Sequence, residues 1–417
     1  MPRLYGFAIA IVLFSSWAGA QVVPEPNSPV TPAREKALTI YKRLNGISTP
    51  IDSPILKQME PLVASGDLKG AARLATAERG FLNVVVKDFA AKMSTREETV
   101  AAPLSDFVAT LVGVTRDGID ARQLLVGNFT YRGIAGLANV RAAEVADILS
   151  SNNHYADIES QGLDLRTSIA RSDVQKLVNT AGAAVDNPEP AGVVTSRAFM
   201  EAHAAAGTNR RIIEYVFREF MCVPMTEFAD ATGSDSMIGR DVDRFPGGSN
   251  EKFQVTCKAC HSNHDPLRPA VARFDFADGI VKHALVLPNG GGANQMRQNP
   301  VGISSKMNQN NTVFPEGYAV NDSTWVNQAN RGANIEFFGW RGWQTGNGVN
   351  QFGSMISSAE GFSRCMAKRV YQSVCKRDPA AFENPMIRQA AVGFEASNYN
   401  LRSLFEEIAS RTECLGN

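Results

Sequence analysis

The 417-residue chain has no excess of charge of either sign: 42 basic residues stand against 42 acidic ones. There is thus no basic surplus with which to hold nucleic acid, and no acidic tail. Histidine is scarce, at five residues. No second Cys-x-x-Cys and no His-x-x-x-His accompanies the one cysteine pair at Cys257 and Cys260, so the usual four ligands of a structural zinc site are missing. Past the first twenty residues no apolar run approaches the ~20 residues that a membrane-spanning helix needs. The turn Gly207-Thr208-Asn209 lacks the lysine and the glycine spacing of a phosphate loop and reads as a cap.

What is present begins at the N-terminus. "MPRLYGFAIAIVLFSSWAGA" has one early basic residue, Arg3, then an apolar run from Tyr5 to Trp17 and the small triplet Ala18-Gly19-Ala20. This is the grammar of a cleavable signal peptide over residues 1–20, and predicts a periplasmic or secreted protein with no transmembrane segment after cleavage. Six cysteines are then compatible with disulfides. If Cys257 and Cys260 carry a cofactor, Cys222, Cys365, Cys375 and Cys414 remain. Cys365 and Cys375 fall ten apart on one helical pattern, about 15 Å along the axis at 1.5 Å per residue, too far to bond each other. Of the pairings left we expect Cys222 with Cys365 and Cys375 with Cys414.

The patterning predicts a mainly α protein. Residues 21–32 are a Pro-rich flexible lead-in. Residues 33–185 form an α-helical domain: "ALTIYKRLNG" ends in a helix-stopping Asn-Gly, and "GFLNVVVKDFAAKM", "LSDFVATLVGV", "RAAEVADILSS" and "SDVQKLVNTAGAAV" all show three-and-four apolar spacing. Its carboxylates are scattered along polar faces and form no catalytic constellation. Residues 186–250 are a helical connecting segment around "RRIIEYVFREFMC". Residues 251–417 form the last unit, interrupted by a Gly/Asn-rich, loop-heavy insertion at about 277–350 and returning to helix in "SSAEGFSRCMAKRVYQSVC" and "SNYNLRSLFEEIASRTEC".

The chemistry concentrates in "FQVTCKACHSNHDP". Cys-x-x-Cys-His is the attachment signature of a c-type haem. Cys257 and Cys260 would bond the two vinyl groups, and His261 would be the proximal iron ligand. Zinc lacks partner ligands, and a thioredoxin-like redox pair lacks its βαβ setting. Phe253, one turn before Cys257, is placed as the aromatic that packs on a C-terminal helix, with Tyr371 as partner. The loop at Pro266 and Pro269 is expected to supply a backbone carbonyl for the second imidazole nitrogen of His261.

"CKACHSNHDPLRPAVARFDFADG" resembles the haem segment of large exported proteins of planctomycetes and proteobacteria, in which C-x-x-C-H is followed by Asp-Pro, Phe-Asp and Gly. "LLVGNFTYRG" and "SSAEGFSRCMAKRVYQSVCKR" resemble their upstream and C-terminal elements. The long Gly/Asn-rich insertion and the extra cysteines Cys375 and Cys414 depart from that pattern. The resemblance implies a cytochrome c-like α-helical haem domain and one covalent haem c.

Three functions follow from one haem: electron transfer with a redox partner protein of the periplasm or envelope, peroxidase- or oxygenase-type catalysis at an open distal position, or a binding protein in which haem is structural. A single Cys-x-x-Cys-His disfavours a two-haem peroxidase, and a non-catalytic electron carrier is the preferred expectation. Electron transfer calls for a sixth ligand. Methionine suits a readily reduced haem, since Met/His ligation raises the potential. Met355, just before the helix that bears Tyr371, ranks first and Met307 second, with His283 a further alternative; Met296, Met366 and Met386 are the other methionines after the motif.

Overall fold

The computed structural model describes residues 30–141, 145–179, 181–228, 230–239, 251–284, 302–308 and 317–415. The expected signal peptide, most of the lead-in, much of the Gly/Asn-rich insertion and Met296 lie outside the described residues. Within them the protein is mainly helical, with 57% of residues in helix. The strands are short and pair two by two, always antiparallel: Thr130–Gly133 with Ile169–Ser172, Lys176–Val178 with Ala184–Asp186, Phe274–Ala277 with Ile280–His283, and Thr324–Val326 with Thr345–Asn347. No described helix is long and apolar enough to cross a membrane.

Local sequence explains the helix ends. Thr31 accepts from the Arg34 amide and Pro32 occupies the first turn of the helix Pro32–Asn45; Gly46, at φ 70°, closes it by donating to the Lys42 carbonyl. Ser105 caps the helix Asp106–Asp117 and Ser196 caps Arg197–Ala204. The buried Asp106 carboxylate joins these two helices, accepting from the amides of Arg197 at 2.6 Å and Ala198 at 3.0 Å. Two otherwise unsatisfied helix-start donors are thereby satisfied across a tertiary contact.

Packing does not respect the boundaries that composition suggested. One hydrophobic cluster runs from Ala37 to Cys414 and takes in the helices of 32–117, 197–221 and 348–409. The helix Glu360–Cys375 lies in its middle, against Arg210–Met221, Asn384–Ala396 and Leu401–Ala409, and the last of these also packs on Leu68–Thr76. The expected separation of 33–185 from 251–417 is therefore not a separation of cores. The physical reason lies in the C-terminal helices: 348–375 buries residues on most of its circumference and 401–409 buries a broad face, so both need neighbours on more than one side.

One helix expected from periodicity is not formed. "SDVQKLVNTAGAAV" is a β-hairpin, with Lys176–Val178 paired to Ala184–Asp186. The Asn179 side chain accepts from the amides of Ala181 and Ala183, and Gly182 sits at φ 77°. Local turn chemistry outweighs a short apolar spacing. Buried Gln175 fixes the near end by bonding the Gly192 carbonyl, Asn187 and Thr195.

Both disulfides form as paired above. Cys222–Cys365 joins the end of the helix Arg210–Met221 to the middle of Glu360–Cys375, with Cα atoms 5.2 Å apart. Cys375–Cys414 joins the end of that second helix to the C-terminal turn, at 4.9 Å.

Candidate functional site

Cys257, Cys260 and His261 lie on one continuous helical stretch, a π-helical turn over Phe253–Cys257 followed by α-helix over Lys258–His264. A second π-helical stretch, Phe81–Val86, sits inside the core with no chemistry attached, so the irregularity alone does not mark a site. What marks it is exposure. Cys257 and Cys260 are free thiols, both half-buried. Val255 beside them is 79% exposed. Two free sulfurs, three residues apart, thus share one partly open helix face.

The rest of the helix is tied down. Ser262, Asn263 and His264 are buried, and the chain runs straight into a wholly buried 3₁₀ turn, Asp265–Val271. Asn263 Nδ2 donates to the Asp230 carbonyl at 2.8 Å, and the Cys260 thiol donates to the Met225 carbonyl at 3.4 Å. Ser234 N bonds Gln328 Oε1 at 2.7 Å, and Gln254 Nε2 bonds Asp235 Oδ2 at 3.3 Å. Residues 225–228 and 230–239 therefore pass beside the motif helix.

His261 is oriented from beneath. Its Nδ1 lies 3.1 Å from Asp265 Oδ1, one helical turn on. The backbone carbonyl of the Pro266–Pro269 turn, expected as acceptor, does not take this role, because the carboxylate four residues on lies on the same helix face. Asp265 is itself held from three sides. Arg210 approaches it bidentately, Nε to Oδ1 at 2.7 Å and Nη2 to Oδ2 at 3.0 Å, and the Gly239 amide donates to Oδ2 at 3.0 Å. Burial opposes its charge, but Arg210 and the two neighbouring histidines outweigh that cost and hold the carboxyl well below its ordinary range. With an ionised acceptor, Nδ1 of His261 is the nitrogen that donates, and Nε2 is the one left for another partner. Nε2 has no hydrogen-bond partner among the described residues.

The donor set fits a covalent haem and fits its rivals poorly. A redox disulfide wants a lowered thiol pKa, whereas burial, with the Glu214 carboxylate and the Cys257 sulfur nearby, raises that of Cys260. No group of three or more His, Cys, Asp or Glu placed to hold a metal ion occurs among the described residues.

Each distal candidate among the described residues is buried in a packed setting of its own. Met355 is 4% exposed within the main cluster, as are Met366 at 0% and Met386 at 7%. Met307 is fully buried in a small second cluster with Ala272, Ile303 and Val320. His283 is buried at the end of a strand, its Nε2 3.7 Å from Glu189 and its ring edge-on to Phe274 at 4.8 Å. Phe253 is buried outside both clusters, while Tyr371 belongs to the main one and donates to Glu383 at 2.7 Å. The described methionine whose backbone the structure does bring to the motif is Met225, which precedes it and falls outside a search limited to downstream residues.

The remaining histidines are core residues. His154 accepts from the Gly133 amide at 2.9 Å and lies 3.0 Å from the Arg141 carbonyl. His203 stacks on Tyr215 at 3.9 Å, and burial, with nearby arginines, pushes its pKa down to about 3. Compared with protein-family models, curated proteins and solved structures, the chain gives no match.

Proposed function

We propose that this is an exported mono-haem c-type cytochrome. Cys257 and Cys260 would hold the porphyrin through thioether bonds and His261 Nε2 would hold the iron. The observation that carries this reading is the state of the motif: two unpaired, half-exposed thiols one turn apart, beside an imidazole whose Nδ1 is already committed and whose Nε2 is not. When bound, the group supplies a one-electron couple. The chain's own residues fix the imidazole, keep one face of the helix open and bury the other. Export through the N-terminal signal, the likeness to planctomycete and proteobacterial haem proteins and a cytochrome c-like organisation of the C-terminal unit belong to the same proposal.

Electron exchange with a partner protein is preferred over catalysis on the sequence: a single Cys-x-x-Cys-His leaves no second haem for a two-haem peroxidase. In a binding protein with structural haem, the helices of 32–117 would act as one body with those of 348–409, with which they share a core. An optical spectrum of the purified protein decides between transfer and catalysis. Electron transfer predicts a low-spin reduced spectrum unchanged by carbon monoxide; a high-spin ferric form that takes up carbon monoxide on reduction would favour the enzyme. Alanine variants of Met355, Met307 and His283 then identify the sixth ligand, since only its loss turns the spectrum high-spin.

A further inference from the structure

Resting on that reading, we infer that Asp265 is a positioning residue that sets the reduction potential of the site: its fixed carboxylate, hydrogen-bonded to His261 Nδ1, strengthens His261 as a ligand and so favours the oxidised state. A neutral carbonyl can orient a ligating imidazole. A carboxylate does more, because its charge raises the basicity of the ligand nitrogen on the far side of the ring. Here the acceptor is a carboxylate, Asp265 Oδ1 at 3.1 Å, with a fully buried side chain. Its position is fixed independently of His261 by the Arg210 fork and the Gly239 amide. Thr208 Oγ1 in turn accepts from Arg210 Nη1 at 2.6 Å. The geometry is therefore built before any ligand arrives, and it acts on the one imidazole that the motif aims outward.

The electron count is simple: reduction adds one electron from an external donor and breaks no bond. Stronger donation from His261 stabilises the oxidised form more than the reduced one, so the wild-type potential is lower than a neutral acceptor would give.

The experiment is a redox titration of the pigmented full-length protein with Asp265 as found, as Asp265→Asn and as Asp265→Glu. Asparagine keeps size and an acceptor oxygen but removes the charge. It should shift the ratio of reduced to oxidised protein at a given applied potential about tenfold towards reduced, roughly 59 mV for a one-electron couple. Glutamate restores the charge and should bring the ratio back towards wild type. Where asparagine prevents pigment attachment, Asp265→Ser is titrated in its place, with the same expected direction. A potential that moves less than about twofold in ratio for the neutral variant, with an unaltered circular dichroism spectrum, overturns the inference while leaving haem attachment intact. A wild-type protein with no pigment would instead overturn the reading on which it rests.

Discussion

Replacing Cys222 and Cys365 together by serine is expected to cost the protein about 2–5 kcal/mol of stability. The bridge closes a loop of 143 residues and ties together two helices that pack on each other in the core. On the chain-entropy account the loss grows with the logarithm of loop length, so this bridge should matter about 1 kcal/mol more than Cys375–Cys414, which spans 39 residues. Position reinforces length. Cys222 holds a left-handed backbone at φ 55° where the helix Arg210–Met221 ends, a conformation that a non-glycine residue adopts at some cost. That same helix starts with Arg210, the residue that clamps Asp265. Urea unfolding of the two double-serine variants under identical non-reducing conditions gives the comparison. A larger loss from the 39-residue bridge would contradict the account.

The second large effect is a pH dependence located at Glu219. This side chain is fully buried, with Arg369 Nη2 at 2.6 Å and the Glu98 carboxylate adjacent. Burial drives its pKa up to about 8 against the attraction of Arg369, and Glu98 adds to the rise. Glu98 itself is shifted down, because hydrogen bonds from Arg218 and from Glu219 outweigh its own burial. The two carboxyls thus share one proton, carried by Glu219. In the unfolded chain Glu219 ionises near its ordinary value of 4.5, so between there and about pH 8 the folded state binds the extra proton. Stability from this group is complete below about 4.5 and is lost as pH rises through 8, with a slope of at most about 1.4 kcal/mol per pH unit. Glu219→Gln keeps the shape and removes the titration. Unfolding free energies measured from about pH 5 to pH 8 should fall for the wild type and fall less for the variant. Parallel curves would contradict the assignment.

The long helices were legible because each depends on residues close in sequence. Asn45-Gly46 ends a helix where only a local rule is needed. Cys365 and Cys375 could be read as unable to bond because both fall on one helix; of the two pairings this leaves, the sequence does not choose, and the structure forms Cys222–Cys365 with Cys375–Cys414. The acceptor of His261 was half legible. "HSNHD" places Asp265 four residues on, but nothing in the sequence says that Arg210, 55 residues earlier, would bury and hold it. The hairpin Phe274–Ala277 with Ile280–His283 turns on Asp278-Gly279, both at positive φ, and Asp-Gly between alternating apolar residues is the strongest short hairpin signal. It lies at the edge of the Gly/Asn-rich stretch, whose composition masks it. In that insertion Trp325 is almost wholly buried and donates to the Gly348 carbonyl, a long-range anchor with no local signature. The shared core was illegible for the same reason: apolar faces reveal that a helix needs partners, not which ones.

The central claim is covalent attachment at Cys257 and Cys260, and the most direct measurement is the mass of the intact polypeptide after denaturation and acid extraction. The protein is to be made in a host with working cytochrome c maturation, beside the Cys257→Ser/Cys260→Ser variant. The account predicts one haem retained per wild-type chain and none on the variant. A folded wild-type protein, with both disulfides formed, whose polypeptide carries no added mass would contradict it.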